Sequence, residues 1–206
     1  MKNSNAVTPV PITLSAMTGK MTGFVSLNGD TTTNTFCAEM QKSSSVCQRG
    51  YSQRALKSYR SGAAGRFALN QESLRHPYPM PDRYIPWVGA TVVRLFSHGD
   101  VEDANMAANV LQIVRAYPGS LFVAWSKNTT AWNAAIATHG KPANLRLIYS
   151  NGSIGHVRHT PPEGWDMTFN VVEKGTAVAN CHGKCAECMV CYSDKLTETV
   201  IIEEVK

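Results

Sequence analysis

Four of the chain's six cysteines lie within eleven residues near its carboxyl end. Cys181, Cys185, Cys188 and Cys191 follow the spacing C-x3-C-x2-C-x2-C. Thiolates this close along a chain converge on one centre only where the backbone turns tightly, and Gly183 supplies the conformational freedom for such a turn. Local disulfides are disfavoured, because the small rings that they would close are strained. We therefore predict a metal centre on these four sulfurs.

The spacing leaves two kinds of metal centre open. Structural zinc sites usually draw two C-x2-C pairs from well-separated turns, whereas all four cysteines are crowded together here. The first three have the C-x3-C-x2-C spacing of radical-SAM cluster loops, and the last three resemble ferredoxin loops. We expect an iron–sulfur cluster of the 4Fe-4S type, with zinc as the alternative. Cys37 and Cys47 could complete the same site, form a separate pair or be buried as small apolar residues.

Length and composition favour a cytoplasmic protein without membrane contact. A chain of 206 residues is long enough to bury its own core, so the cysteines are not needed merely to hold the fold together. The first residues lack the apolar run of a signal peptide, and no stretch approaches the roughly eighteen apolar residues of a membrane span. In a reducing cytoplasm, clustered cysteines more often bind metal than form disulfides.

The net charge of +5 is concentrated in one stretch of the chain. Between Arg49 and Arg66 there are five basic residues and no acidic one. Cations contact backbone phosphates and interleaved aromatic rings stack on bases, so Arg54, Lys57 and Arg60 are candidate nucleic-acid contacts. The commoner alternative for such a stretch is a solvated helix face.

The clearest secondary-structure pattern is β-α-β-α-β. Apolar, β-branched runs at 91–96, 121–126 and 145–150 alternate with helical patterns near 102–117 and 129–138. Such alternation predicts parallel strands with right-handed crossovers, and helices on at least one face of the sheet.

Polar residues follow each of these strands. The carboxyl ends of parallel strands form the binding face of a sheet or barrel, so these loops should converge at one rim. His98, Asp100 and Lys127 are the candidate catalytic residues. Asp100 could act as a base or a hydrogen-bond acceptor, and Lys127 could neutralise an anionic substrate or lose its proton if buried. The predicted cofactor-binding residues are Ser126, Ser150 and Asn151.

We predict a single domain of the α/β class. Residues 1–35 form N-terminal strands, 36–175 the α/β core, and 176–206 the cysteine cluster and a C-terminal strand. The core is either a partial parallel barrel or a sheet of β-α-β units, and the C-terminal segment is cysteine-rich and metal-binding. The proline-rich segment 76–87 is expected to be a rigid connector. His156 and His159 are interpreted as surface residues.

The order of motifs resembles the phage gene-product-88 family. In that family a cysteine-rich opening precedes a strand that ends in a GD pair and then a strand that ends in a YTK-like triplet. This chain has CAEMQKSSSVCQRGYS, then Gly99-Asp100, then Trp125-Ser126-Lys127. The resemblance, over roughly 35–193, implies phage origin, hence host-cell cytoplasm, and a partial α/β barrel similar to radical-SAM proteins. Gly50 stands where the family's opening has its last cysteine.

Three functions are consistent with these features. The first is a cluster-containing enzyme or redox protein acting on an unknown small molecule or nucleic acid at the α/β rim. The second is a non-catalytic nucleic-acid-binding protein braced by zinc. The third is a purely structural or partner-binding phage factor. The cysteine segment follows the α/β core, whereas radical-SAM cluster loops follow the first barrel strand, so S-adenosylmethionine is not predicted. The oligomeric state, too, is left open by the sequence.

Overall fold

A computed structural model of the chain describes residues 10–49, 51–58, 61–175, 179–193 and 197–205. One seven-stranded sheet forms the centre, and its strands neighbour one another in chain order. The first pair is antiparallel and every later pair is parallel. The strands are β1 (Leu14–Ala16), β2 (Val25–Leu27), β3 (Val92–Leu95), β4 (Leu121–Ser126), β5 (Leu145–Ile154), β6 (Met167–Val172) and β7 (Val200–Glu204).

Capping side chains set the ends of the two long crossover helices. Asp103 begins the first, because its carboxylate accepts a hydrogen bond from the Met106 amide. Asn128 does the same for the second, which ends at Gly140 with a φ of 77°. The helices are α1 (Thr35–Ser43), α2 (Ser45–Gln48), α3 (Tyr51–Lys57), α4 (Ser61–Leu74), α5 (Ala104–Ala116), α6 (Thr129–His139) and α7 (Cys185–Cys188).

Side-chain alternation along the strands gives the sheet two apolar faces. On the outer face, Phe122 and Leu147 pack in one buried cluster with residues of α5 and α6, including Trp132. On the inner face, the neighbouring residues Val123 and Ile148 belong to a second cluster. Because successive side chains of a strand point to opposite faces, apolar runs without polar gaps are what a sheet covered on both faces requires.

The sheet curls so that its two ends approach each other. Lys20 lies between β1 and β2, and its ammonium is 3.2 Å from the carboxylate of Glu203 in β7. In a flat sheet, strands about 4.8 Å apart would place the outermost pair roughly 30 Å from each other. The ion pair is therefore possible only because the inner face is concave.

The predicted β-α-β-α-β unit is confirmed, with boundaries shifted by three residues or fewer except where β5 continues to Ile154. The predicted N-terminal strand pieces form an antiparallel hairpin. Residues 51–74 contain α3 and α4, and Gly62 and Gly65 lie within α4 and not between the two helices. The connector 76–87 contains a short 3-10 helix, Asp82–Tyr84. Within the described ranges, every helix is too short or too polar to cross a bilayer.

The carboxylate of Glu102 ties three separate elements together. Arg75 at the end of α4 donates to it from Nε at 2.6 Å and from Nη2 at 3.0 Å. Gln71 of α4 donates at 2.9 Å, and the backbone amide of Thr35 in α1 donates at 2.6 Å. Burial alone would raise the pKa of Glu102, but these donors, Arg75 foremost, lower it below the usual 4.5.

We predict that Glu102→Gln lowers the free energy of unfolding by about 1–3 kcal/mol at pH 7, because the charged acceptor of these hydrogen bonds is lost. A carboxyl with a lowered pKa stabilises the fold above its unfolded-state pKa and loses that effect as pH falls. The difference between wild type and variant should therefore shrink below about pH 4.5. Urea unfolding at several pH values measures it.

Glu72→Gln is the matched control. Glu72 pairs with the same Arg75, but half of its side chain is exposed. Exposed ion pairs contribute about 0–1 kcal/mol, so this variant should remain close to wild type at every pH. Equal losses for the two variants would contradict a special role for Glu102.

Candidate functional site

A cavity of about 380 Å³ lies over the inner face, at the carboxyl ends of the strands. We call it the central cavity. The loops after β3 and β4 contribute Asp100 and Lys127 to its wall, and β5 contributes Ser150. The inner face contributes Arg94 and Trp125. Five cysteines from the two ends of the chain also line it: Cys37, Cys47, Cys181, Cys185 and Cys191.

Asp100 joins the carboxyl ends of β3 and β4. Its Oδ1 accepts from the Ser126 hydroxyl at 2.5 Å and from the Val101 amide at 2.8 Å, and its Oδ2 accepts from the Lys127 amide at 2.9 Å. Burial raises the pKa of Asp100 to about 6, although these hydrogen bonds oppose the rise. Gly99 precedes it with a φ of +85°, and a Cβ there would lie 3.1 Å from the backbone of Gly29. The backbones of Gly99 and Gly29 thus lie so close that a side chain at position 99 would clash, which explains the glycine of the GD pair.

The side chain of Lys127 extends from β4 to β5. Its ammonium donates to the Ser150 hydroxyl at 2.9 Å. Among the described residues no carboxylate forms an ion pair with it. The predicted convergence of Asp100, Ser126, Lys127 and Ser150 at one rim is therefore present in the fold, while their roles stay predictions.

Two other predicted rim residues point elsewhere. His98 is buried and its Nδ1 lies 2.7 Å from the Ser52 hydroxyl of α3, with the Phe67 ring on α4 at 5.4 Å between centroids. Asn151 donates to the His156 carbonyl at 2.6 Å and holds the irregular part of β5. Neither lies in the described wall of the central cavity. Their contacts are those of residues that position loops.

Helices α1 and α2 bring the upstream cysteines to the cavity. Asn34 caps α1 by accepting from the Cys37 amide at 2.8 Å, and it donates to the Asp100 carbonyl at 2.8 Å. Ser44 caps α2 by accepting from the Cys47 amide and donates to the Gly152 carbonyl at 2.8 Å. Each cap therefore fastens one cysteine-bearing helix to the rim.

The downstream cysteines share a second cavity of about 290 Å³, which Cys181, Cys185, Cys188 and Cys191 all line. The segment is fixed at its start, where the Cys181 amide donates to the Ile202 carbonyl of β7 at 3.0 Å. All six cysteines of the chain are free thiols. No group of three or more His, Cys, Asp or Glu side chains in the described ranges is placed to hold a metal ion. The described side chains therefore do not form the metal site that the cysteine spacing predicts.

Burial raises the pKa of three of these thiols, Cys37, Cys185 and Cys191, and keeps them protonated at neutral pH. It raises the pKa of Cys191 to about 12, with a further contribution from the three neighbouring cysteines. Burial also raises the pKa of Cys185 and of Cys37, the latter with help from the carboxylate of Asp100. Reactive cysteines are thiolates, so none of these three is a ready nucleophile by itself.

Three residues of the inner face were not predicted as site residues. Tyr192 is buried, and its ring lies 4.7 Å from that of Phe24 and 5.1 Å from that of Trp125. Arg94 lies beside both Tyr192 and Trp125. The one signal in the sequence was a lone arginine inside the apolar run TVVRLF, since a charge is rarely buried in a strand without a function or partner.

The basic stretch is divided between paired and exposed side chains. Arg49 forms an ion pair with Glu173 at 2.5 Å. Arg54 and Lys57 of α3 are exposed. Arg60, the third predicted nucleic-acid contact, lies outside the described residues. A cationic surface on α3 is therefore present at two of the three predicted positions.

We predict that the stability of wild type relative to Asp100→Asn falls as pH rises from about 4 to about 6. A raised pKa means that the folded state holds the proton more tightly than the unfolded state, so ionisation costs stability over that interval. Each pH unit of raised pKa corresponds to about 1.4 kcal/mol. Chemical unfolding across this pH range measures the difference. Asp103→Asn, at an exposed carboxylate three residues away, is the control, and the same pH trend there would contradict the assignment.

A family model described as Gene product 88 matches residues 80–177, just under half of the chain. The match spans β3 to β6, so it includes Asp100 and Lys127 but ends before Cys181. It supports the phage gene-product family for this part of the chain. No curated protein and no solved structure matches.

Proposed function

We propose that the chain holds an iron–sulfur cluster on its carboxyl-terminal cysteines and binds and converts a small molecule in the central cavity. One observation carries the proposal: free thiols from both ends of the chain line the same cavity as Lys127 and Asp100. Such a protein would work in the cytoplasm of the host cell, where thiols stay reduced. We further propose that the curled sheet is a partial barrel of the radical-SAM-like kind.

The donor chemistry fits a cluster, although the described side chains do not surround a single point. Four soft sulfur donors line one cavity, and thiolates are the ligands of iron–sulfur clusters. Arg146 supports the same assignment. It is buried beside the cysteine segment, where its Nη1 is 3.5 Å from the Val190 carbonyl, and no described carboxylate pairs with it. An anionic metal–thiolate centre would offset this charge.

The ligands of the cluster would be Cys181, Cys185, Cys188 and Cys191, with Cys37 or Cys47 as candidates for a shared site. A cluster held by all four cysteines would supply electron transfer, whereas one held by three of them would leave one iron open to a ligand. Zinc is the alternative occupant, and it would brace the segment without redox chemistry.

The chain's own residues bind and orient the small molecule. Both oxygens of Asp100 are occupied by internal donors, so this residue positions Lys127 rather than moving a proton itself. The ammonium of Lys127 remains available to an anionic group in the cavity. Phe36 and Phe169 belong to the same wall, which excludes water from part of the cavity. A drier site strengthens each electrostatic contact with a ligand.

We predict that anaerobically purified chain is brown, absorbs broadly near 400 nm, and contains iron and sulfide in equal amounts, because sulfur-to-iron charge transfer gives clusters their colour. Cys188→Ala and Cys191→Ala should lose most of the iron. His182→Ala, at an exposed neighbour in the same segment, should keep it. Iron and sulfide assays with visible spectra measure both results.

The metal analysis also separates the alternatives. Colourless protein with one zinc per chain would show that the site holds zinc and not an iron–sulfur cluster. Protein without either metal after anaerobic purification and reconstitution would refute the metal proposal. A loss of iron in Cys37→Ala or Cys47→Ala, but not in His182→Ala, would assign that cysteine to a shared site.

The second candidate is a zinc-stabilised nucleic-acid-binding protein without catalysis. It is favoured by the exposed Arg54 and Lys57. We predict that, if α3 contacts phosphates, neutralising Arg54, Lys57 and Arg60 to Gln weakens binding to single- and double-stranded oligonucleotides and lowers its dependence on salt. Fluorescence anisotropy at two salt concentrations measures this. Absence of binding by the wild type at low salt would exclude this function.

A further inference from the structure

The guanidinium of Arg94 lies on the inner face of the sheet, in the wall of the central cavity. Its Cζ is 4.3 Å from the ring centroid of Trp125. Nη1 is 3.3 Å from the Tyr192 hydroxyl and 3.3 Å from the sulfur of Met21. Stacking on an indole and donating to a phenol fix the plane of the guanidinium.

This cation has no anionic partner among the residues that the structure describes. No carboxylate among the described residues lies within ion-pair distance of it. Its Nε is buried and has no hydrogen-bond partner within the described part of the chain. A largely buried charge without a counter-charge destabilises a fold, and a fold that retains one usually supplies the counter-charge from a ligand.

The other charges of the cavity wall do not neutralise Arg94. Lys127 donates to a hydroxyl, and it too lacks a described carboxylate partner. The oxygens of Asp100 are taken by three internal donors. Glu203 pairs with Lys20. As far as the described residues go, the wall thus presents two cations, Arg94 and Lys127, without a carboxylate paired to either.

We propose that the central cavity binds a small molecule with a carboxylate or phosphate head and an aromatic or apolar body. The head lies on Arg94, whose planar fork matches two oxygens of an oxyanion, with Lys127 as a second cation. The body lies against Phe36 and Phe169, which line the same cavity. A volume of about 380 Å³ is within the range of small-molecule sites. The inference rests on the proposed use of this cavity, but not on the cluster.

Three probes test the charge requirement. Benzoate and benzamide have almost the same shape and differ in charge, while phenyl phosphate presents the phosphate head. We expect benzoate or phenyl phosphate to bind the full chain as purified, and benzamide to bind at least about tenfold more weakly, because a charged hydrogen bond is lost. Ligand-observed NMR titration measures the dissociation constants. Preference for one of the two anions assigns the head as carboxylate or phosphate.

Arg94→Met should weaken anion binding about tenfold or more without lowering the unfolding midpoint of the free protein, since it removes an unpaired charge while keeping a similar length. Arg83→Met is the matched control. Arg83 likewise lies over a tyrosine ring, 4.8 Å from the Tyr84 centroid, and donates to that hydroxyl, but it is exposed. Its variant should bind as wild type does. Arg94→Lys, which keeps the charge, should bind better than Arg94→Met.

Equal binding of benzoate and benzamide, no binding of either anion, or undiminished binding by Arg94→Met would overturn the inference. If Arg94→Met does not fold, the comparison of benzoate with benzamide on wild type decides. Iron is measured in the same samples. If the protein binds an anion but lacks iron after reconstitution, the cluster alone is refuted. If iron-loaded protein binds neither anion, the anion site alone is refuted.

Discussion

The buried carboxylate of Asp100 is the contact on which the rim of the sheet depends. By accepting from Ser126 and from the backbone amides of Val101 and Lys127, it connects the loops after β3 and β4. Asn34 joins the same loop through the Asp100 carbonyl and caps α1, so Cys37 is held at the rim by the same set of hydrogen bonds. A buried acceptor that is fully satisfied makes the loops rigid, whereas an unsatisfied one would destabilise them. The central cavity therefore has a wall whose shape is set by hydrogen bonds within the protein.

The two faces of the sheet have different functions in the fold. The outer face forms the larger apolar cluster with α5 and α6 and provides most of the burial. The inner face combines apolar side chains with Arg94, Trp125 and the buried Tyr192. An arginine on this face without a described counter-charge destabilises the fold, although the aromatic rings around it contribute apolar burial. The retention of this arginine is consistent with a site that binds ligands.

The local elements could be predicted because their signals are local. The apolar runs of β3, β4 and β5 and the caps Asp103 and Asn128 are adjacent in sequence to what they specify. The rim followed from them, since the carboxyl ends of parallel strands must share an edge. His98 shows the limit of that reasoning. A residue can follow a strand and still point away from the cavity, and its direction towards Ser52 depends on where α3 lies.

The amino-acid sequence alone predicted the parallel α/β core, the GD and WSK positions at one rim and the clustering of four sulfurs. Each of these features reflects periodicity or spacing within a short stretch. Only the tertiary structure brought Cys37 and Cys47 to the same cavity as Cys181, Cys185 and Cys191, since these residues are separated by most of the chain and meet only when the sheet curls. The environment of Arg94 was likewise decided by folding. An arginine in a strand can face water, or it can pack on an indole ring without a described carboxylate partner. Which of these occurs depends on which face of the sheet is covered. The residue that covers Arg94, Tyr192, lies far along the chain.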